Sequence, residues 1–148
     1  MTQVDFYILK HAPLEQAEIF ICQLTEKIFN KGHRILIHTA DKDQEERLDK
    51  LLWSFDDTSF IPHIATSNVN CSDETVLKTP IHLSFKSDQT SIDDVLINLK
   101  SETPDCYQQF ARIAEVVIND EEQQHAARQR YRFYQQQGCT VNSHEVNR

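Results

Sequence analysis

Glycine is nearly missing from this sequence. Gly32 and Gly138 are the only two in 148 residues, where an average soluble chain of that length holds about ten. Loops that wrap phosphate need several glycines close together, because backbone amides approach the anion only where no Cβ intervenes. Neither G-x-G-x-x-G nor G-x-x-x-x-G-K-[ST] can be written around positions 32 and 138, which excludes the two standard nucleotide-binding loops. Long apolar runs are missing too. No stretch approaches the roughly 18 residues of a membrane-spanning helix, so no membrane partner is expected. The start, MTQVDFYIL, puts an acid before a short apolar run and has no basic stretch. It does not read as a signal peptide, and a cytoplasmic location is expected.

The usual marks of metal and thiol chemistry are also lacking. Cys22, Cys71, Cys106 and Cys139 form no C-x-x-C, and the seven histidines form no H-x-x-x-H or H-E-x-x-H. Reduced, structural cysteines are expected, with no metal site and no cofactor. Nor is there a G-x-S-x-G motif or a cysteine in an activating context. The acid pairs Asp56-Asp57 and Asp93-Asp94 read as solvated surface. No catalytic set emerges, and an enzyme is not expected.

The formal charge is −8, a sign that repels nucleic acid; direct nucleic-acid binding is not expected. Its distribution says more than its sum. Residues 121–148 carry Arg128, Arg130, Arg132 and Arg148 against Glu121, Glu122 and Glu145, a net of +1, so the first 120 residues carry −9 of the total −8. An anionic partner belongs at the C-terminal end.

At 148 residues, with 39% hydrophobic and 26% charged residues, one globular domain over 1–148 is expected. Val4–Leu9 reads as a buried strand. A helix then opens at Pro13, with Ala17, Phe20, Ile21, Leu24 and Ile28 on one face. Gly32 suits the left-handed position that closes it. Arg34–His38 is a second strand, completing a β-α-β unit with parallel strands. Thr39–Trp53 reads as a charged helix capped by Asp41.

The stretch 54–80 is irregular, with a short strand near 60–64. Ile81, Leu83 and Phe85 alternate with His82 and Ser84, predicting a strand with one wetter face. Val95–Leu99 is another apolar run, and Pro104 opens a helical turn through Phe110. Ile113–Ile118 reads as the last strand. A helix capped at Asn119-Asp120 then runs to about Gln137 and stops at Gly138. The fold class is α/β: a mainly parallel central sheet flanked by helices, Rossmann-like without a phosphate-binding loop. Its first β-α turn, Lys10-His11-Ala12-Pro13, has a proline and no glycine. Lys10 and His11 as a small anion site, in a nucleotide- or anion-binding enzyme, are the alternative reading.

Two surfaces stand out. On a wheel of about 100° per residue, Arg128 and Arg132 fall about 40° apart, with Gln124 beside them and Tyr131 about 60° to the other side. Ala126, Ala127, Phe133 and Tyr134 take the opposite, core face. Arg130 falls within that face, where its head either snorkels out or pairs with an acid beneath. A charged helix face is ordinarily just solvated. Arginine forks beside a tyrosine also suit an anionic peptide, and Val117 is placed to line an apolar pocket beside them. The second surface surrounds Trp53, Phe55 and Phe60 at a polar turn, either as core or as an exposed protein-binding patch.

F-Y-I-L, G-H-R-I-L-I, R-L-D-K-L-L-W, S-F-I-P-H, F-A-R-I-A-E-V-V and A-R-Q-R-Y-R-F-Y-Q-Q-Q-G occur in this order along nearly the whole chain. In these segments the sequence resembles the chi subunit of bacterial DNA polymerase III holoenzyme. The combination R-L-D-x-x-L-W, F-x-P-H and A-R-x-R-Y is the most specific part. The resemblance implies a non-catalytic adaptor of the clamp-loader complex. Its implied partners are the psi subunit and the acidic, phenylalanine-ended C-terminal tail of single-stranded-DNA-binding protein. The tail site implied comprises Val117, Gln124, Arg128, Tyr131, Arg132 and Gly138, with Arg128 on carboxylates and Tyr131 and Val117 on the ring. Gln124 departs from the lysine common there. The psi surface implied is Trp53, Phe60 and Pro62.

Overall fold

A computed structural model describes residues 2–10, 12–56, 58, 60–66, 74–86, 92–118 and 120–147. Seven strands form one sheet in the order β3-β4-β2-β5-β6-β1-β7, parallel at every pairing. In chain order the elements are β1 (Gln3–Lys10), α1 (Leu14–Asn30), β2 (Ile35–His38), α2 (Lys42–Ser54), β3 (His63–Ala65) and α3 (Glu74–Lys78). Then come β4 (Ile81–Ser84), β5 (Val95–Asn98), a 3₁₀ turn (Tyr107–Gln109), β6 (Arg112–Ile118), α4 (Glu121–Gln136) and β7 (Thr140–Asn147).

The helices start and stop on local chemistry. Pro13 fixes the entry to α1 in extended backbone, where its missing N–H is no loss. At α2, Asp41 Oδ1 accepts from the Gln44 N–H at 2.8 Å, and Gln44 Oε1 accepts from the Ala40 N–H at 2.7 Å. The first bond satisfies a donor that the first turn leaves open, and the second ties the residue before the cap to the same turn. Asp120 caps α4 through the Glu122 N–H; Asn119 lies outside the described residues. Gly32 and Gly138 both adopt positive φ, 91° and 84°, and so close α1 and α4 as helix stops.

Parallel strands are covered on both faces, and alternation along each strand divides the core in two. Ala17, Ile21 and Leu24 of α1 and Leu48 and Leu52 of α2 pack on Ile35, Ile37, Leu83 and Ile97. On the other face Ala127 and Tyr134 of α4 pack with Val4, Phe6, Leu36, Leu96 and Val117. Arg47 of α2 grips buried Glu18 of α1 through Nε at 3.2 Å and Nη2 at 3.0 Å, which fixes the two helices to each other.

Three expectations need correction. β6 is not the last strand: after Gly138 the chain returns as β7 and pairs with β1 over eight positions. Its sequence, TVNSHEVN, has almost no apolar alternation because an edge strand buries little. β4 has no wetter face, since all four of its residues are buried. His82 Nε2 meets the Val76 carbonyl at 2.7 Å, and Ser84 Oγ donates to the Lys86 carbonyl at 2.8 Å. Local backbone partners thus replace water. Finally, α2 begins at Lys42 rather than Thr39, because Thr39, just past β2, is buried and its N–H donates to the Ser84 carbonyl.

Candidate functional site

α4 lies over β6, β1 and β7, and a pocket of about 420 Å³ opens between them. The strand register builds its floor. Ile8 stands level with Val117 on one side and Glu145 on the other, and Phe6 stands level with Glu115 and Ser143. Phe6, Ile8, Val117 and Ala127 supply the apolar lining. Gln124, Arg128 and Tyr131 form the helix wall, with Ser143 and Glu145 opposite. Tyr131 is held against Phe6 with ring centroids 5.4 Å apart. Arg128 is exposed.

Four of the six residues expected at the tail site, Val117, Gln124, Arg128 and Tyr131, therefore share one cavity. Arg132 and Gly138 do not line it. Arg132 is exposed about 100° round the helix from Tyr131, and Gly138 follows α4 as its stop. Sequence reasoning did not find Phe6, Ile8, Ser143 and Glu145. Alternation in β1 put Phe6 and Ile8 on one face, but only the strand order brings that face under α4.

A buried polar network fixes this helix. Glu115 is fully buried and accepts from Tyr134 Oη at 2.7 Å, from Asn98 Nδ2 at 3.0 Å and from Arg130 Nε at 3.2 Å. Arg130 Nη1 also donates to the Ser101 carbonyl at 2.6 Å. Of the two fates open to Arg130, pairing with an acid beneath is the one observed. Burial pushes the Glu115 carboxyl up, while the Arg130 charge and the three donors pull it back. Burial and the adjacent Glu115 push the Tyr134 hydroxyl up, so it remains a donor. Arg130 and Tyr134 tie the inner face of α4 to the sheet, leaving Arg128 and Tyr131 fixed on its flank.

The second surface lies at the end of α2. Trp53 is 52% exposed and Phe60 is 72% exposed, with ring centroids 5.6 Å apart. Trp53 also rests on His63 at 4.4 Å. His63 is fixed in turn, its Nδ1 2.7 Å from the Ile61 carbonyl and its Nε2 2.9 Å from the Asp49 carbonyl. Pro62 is half-buried between them in sequence. The aromatic pair is surface rather than core.

The remaining candidates are quickly placed. His11 and the Lys10 side chain lie outside the described residues, as do Asp57 and Cys71. Asp94 accepts from the Arg34 N–H at 3.0 Å and faces His33 Nδ1 at 3.0 Å, a structural tie at the foot of β2. Cys22, Cys106 and Cys139 are free thiols. Among the described residues, no cluster of His, Cys, Asp and Glu fits a metal ion, and no helix is long and apolar enough to cross a membrane.

Residues 1–142 match the family model of the DNA polymerase III chi subunit, HolC. The chain belongs to the DNA polymerase III chi subunit family. Among chi relatives, the DNA polymerase III subunit chi of Pseudomonas aeruginosa is 34% identical over 148 residues, covering 100% of this chain and 99% of that protein. The subunit of Haemophilus influenzae is 32% identical over 144 residues, 96% of each chain. That of Escherichia coli is 27% identical over 149 residues, 97% of each. Chi is an accessory subunit of the polymerase rather than a catalytic one. The fold also matches the crystal structure of T4 UvsW, with a TM-score of 0.71 at 10% identity. The match covers 99% of this chain and 42% of that one, a likeness of fold alone.

Proposed function

We propose that this chi subunit is a cytoplasmic adaptor that docks two proteins on separate surfaces. The pocket beside α4 takes the acidic C-terminal tail of single-stranded-DNA-binding protein, and the Trp53–Phe60 patch takes the psi subunit of the clamp-loader complex. The observation that carries the first assignment is the pocket's composition: an apolar floor of Phe6, Ile8 and Val117 with exposed Arg128 at its wall. A terminal phenylalanine ring fills such a floor, and a guanidinium clamps carboxylates in fork geometry. Arg132 adds positive field beside the pocket without touching the ring, and Gly138 ends the helix that carries the site. Gln124 lines the wall as a neutral group, so the contact depends on salt mainly through the arginines.

For the second assignment, paired exposed aromatics are the residue types that concentrate binding energy at protein interfaces. Pro62 stiffens the turn that presents Phe60.

Binding of a tail peptide, several acids ending in phenylalanine, to wild type and to Arg128→Ala tests the first site. Losing a charge-assisted hydrogen bond is worth about 1.5–3 kcal/mol, so affinity falls by tenfold or more, and equal affinities refute the assignment. Phe60→Ala keeps tail binding and weakens psi binding. Loss of both partners together means misfolding instead.

A further inference from the structure

A further cavity lies on the opposite face of the sheet from α4. It is a groove of about 640 Å³ between α1 and the β6–β1–β7 end, and neither docking surface above uses it. Tyr7 and Phe20 give it an aromatic floor, their ring centroids 5.9 Å apart. Lys27 and Lys31 line one side and Arg112 the other, and among the described residues Asp5 is the only carboxylate in the lining.

That carboxylate is already engaged. Only 7% of the Asp5 side chain is exposed, and it holds Arg112 Nη2 at 3.3 Å and His144 Nε2 at 3.1 Å. Arg112 keeps 43% of its side chain exposed, and Lys27 and Lys31 are exposed. Three cations lining one groove, on a chain of net charge −8, form a local basic surface suited to anions.

β7 stands between this groove and the α4 pocket. His144 and Val146 line the groove, while Ser143 and Glu145 line the pocket. β7 ends the strand order, so none of the described strands pairs with its outer edge. An extended peptide added along an edge strand sends alternate side chains to the two faces of the sheet. At β7 one run of main chain then reaches both cavities.

We propose that β7 is a strand-addition site for an extended acidic peptide, whose upstream acidic side chains are received by the Lys27–Lys31–Arg112 groove. The inference rests on the reading of the α4 pocket given above and extends it. The ring and terminal carboxylate lie on the α4 side, and alternate upstream acids lie on the groove side.

The test uses the full chain and two fluorescent peptides read by anisotropy. The short one has two acids and a terminal phenylalanine; the long one adds six mostly acidic residues upstream. Wild type is expected to bind the long peptide at least fivefold more tightly. Lys27→Glu with Lys31→Glu, both at exposed positions, abolishes that advantage and leaves short-peptide binding within twofold. N-methylating alternate amides of the long peptide weakens binding in one register and not in the other. Equal binding of both peptides to wild type, or an advantage that survives the charge reversal or N-methylation in both registers, overturns the proposal. If Arg128→Ala changes neither peptide, the α4 reading fails and the two-sided grip fails with it. Loss of the length dependence alone removes only the grip.

Discussion

Arg130→Met isolates the energetics that hold α4 in place. The substitution keeps the length and apolar stem of the side chain but removes the cation paired with Glu115, which has no solvent exposure. Breaking a buried pair by deleting one partner costs about 3–5 kcal/mol, because the remaining charge stays desolvated. The Ser101 carbonyl loses a 2.6 Å donor in the same step, which places the loss toward the upper end. Tyr134→Phe is milder. It removes one hydroxyl donor to a carboxylate, worth about 1.5–3 kcal/mol, while Arg130 and Asn98 remain.

Coupling is the sharper test. Glu115→Gln added to Arg130→Met removes the stranded charge, and the new amide oxygen still accepts from Tyr134 and Asn98. The double variant is therefore expected to be more stable than Arg130→Met alone by at least about 1 kcal/mol. Urea unfolding followed by far-ultraviolet circular dichroism, with comparable slopes across the set, gives all four values. A double variant whose loss is the sum of the two single losses refutes the paired-charge account of the network.

Three further outcomes are expected. His38 is buried, and burial pushes its pKa from 6.5 down to about 4, with the charge of Lys100 acting in the same sense. The unfolded chain then binds the proton first, so stability is full above pH 6.5 and lost as pH falls toward 4. That amounts to about 2 kcal/mol between pH 7 and pH 5; His38→Gln removes this part of the slope in urea titrations at the two pH values, and an unchanged slope refutes it. A Cβ at Gly138 meets nothing within 4 Å, but φ is +84°. Gly138→Ala therefore loses about 1–2 kcal/mol through the backbone alone, and Gly138→Asn loses less; equal losses by thermal melting refute the left-handed argument. Asp120→Ala removes the α4 cap and is expected to cost about 1 kcal/mol, read as a lower melting temperature.

Elements with strong local chemistry were legible. The apolar spacing of α1, the Asp41 and Asp120 caps and the two glycine stops all act within a few residues, so sequence carries them directly. β4 misled because its buried polar atoms are satisfied by neighbouring backbone, and alternation alone cannot distinguish that from solvent. β7 was missed because an edge strand needs little apolar surface.

The same division holds at the site. Two turns of helix geometry placed Arg128, Tyr131 and Gln124 together. Phe6 and Ile8 enter only through the pairing of β1 with β6 and β7, which no local pattern encodes. The groove carrying Lys27 and Arg112 was invisible for that reason.

The position of β1 has a consequence for how the protein is made. Gln3 pairs with Arg112 on one side and Thr140 on the other, so β1 has no partner strand until β6 and then β7 have followed it along the chain. Val4, Phe6 and Leu9 end fully or almost fully buried, yet during synthesis they wait in an unpaired apolar segment. Long-range parallel pairing of this kind folds slowly and leaves strands exposed meanwhile. The nascent subunit is accordingly most vulnerable to aggregation and chaperone capture at β1, and that exposure ends only when β6 and β7 emerge.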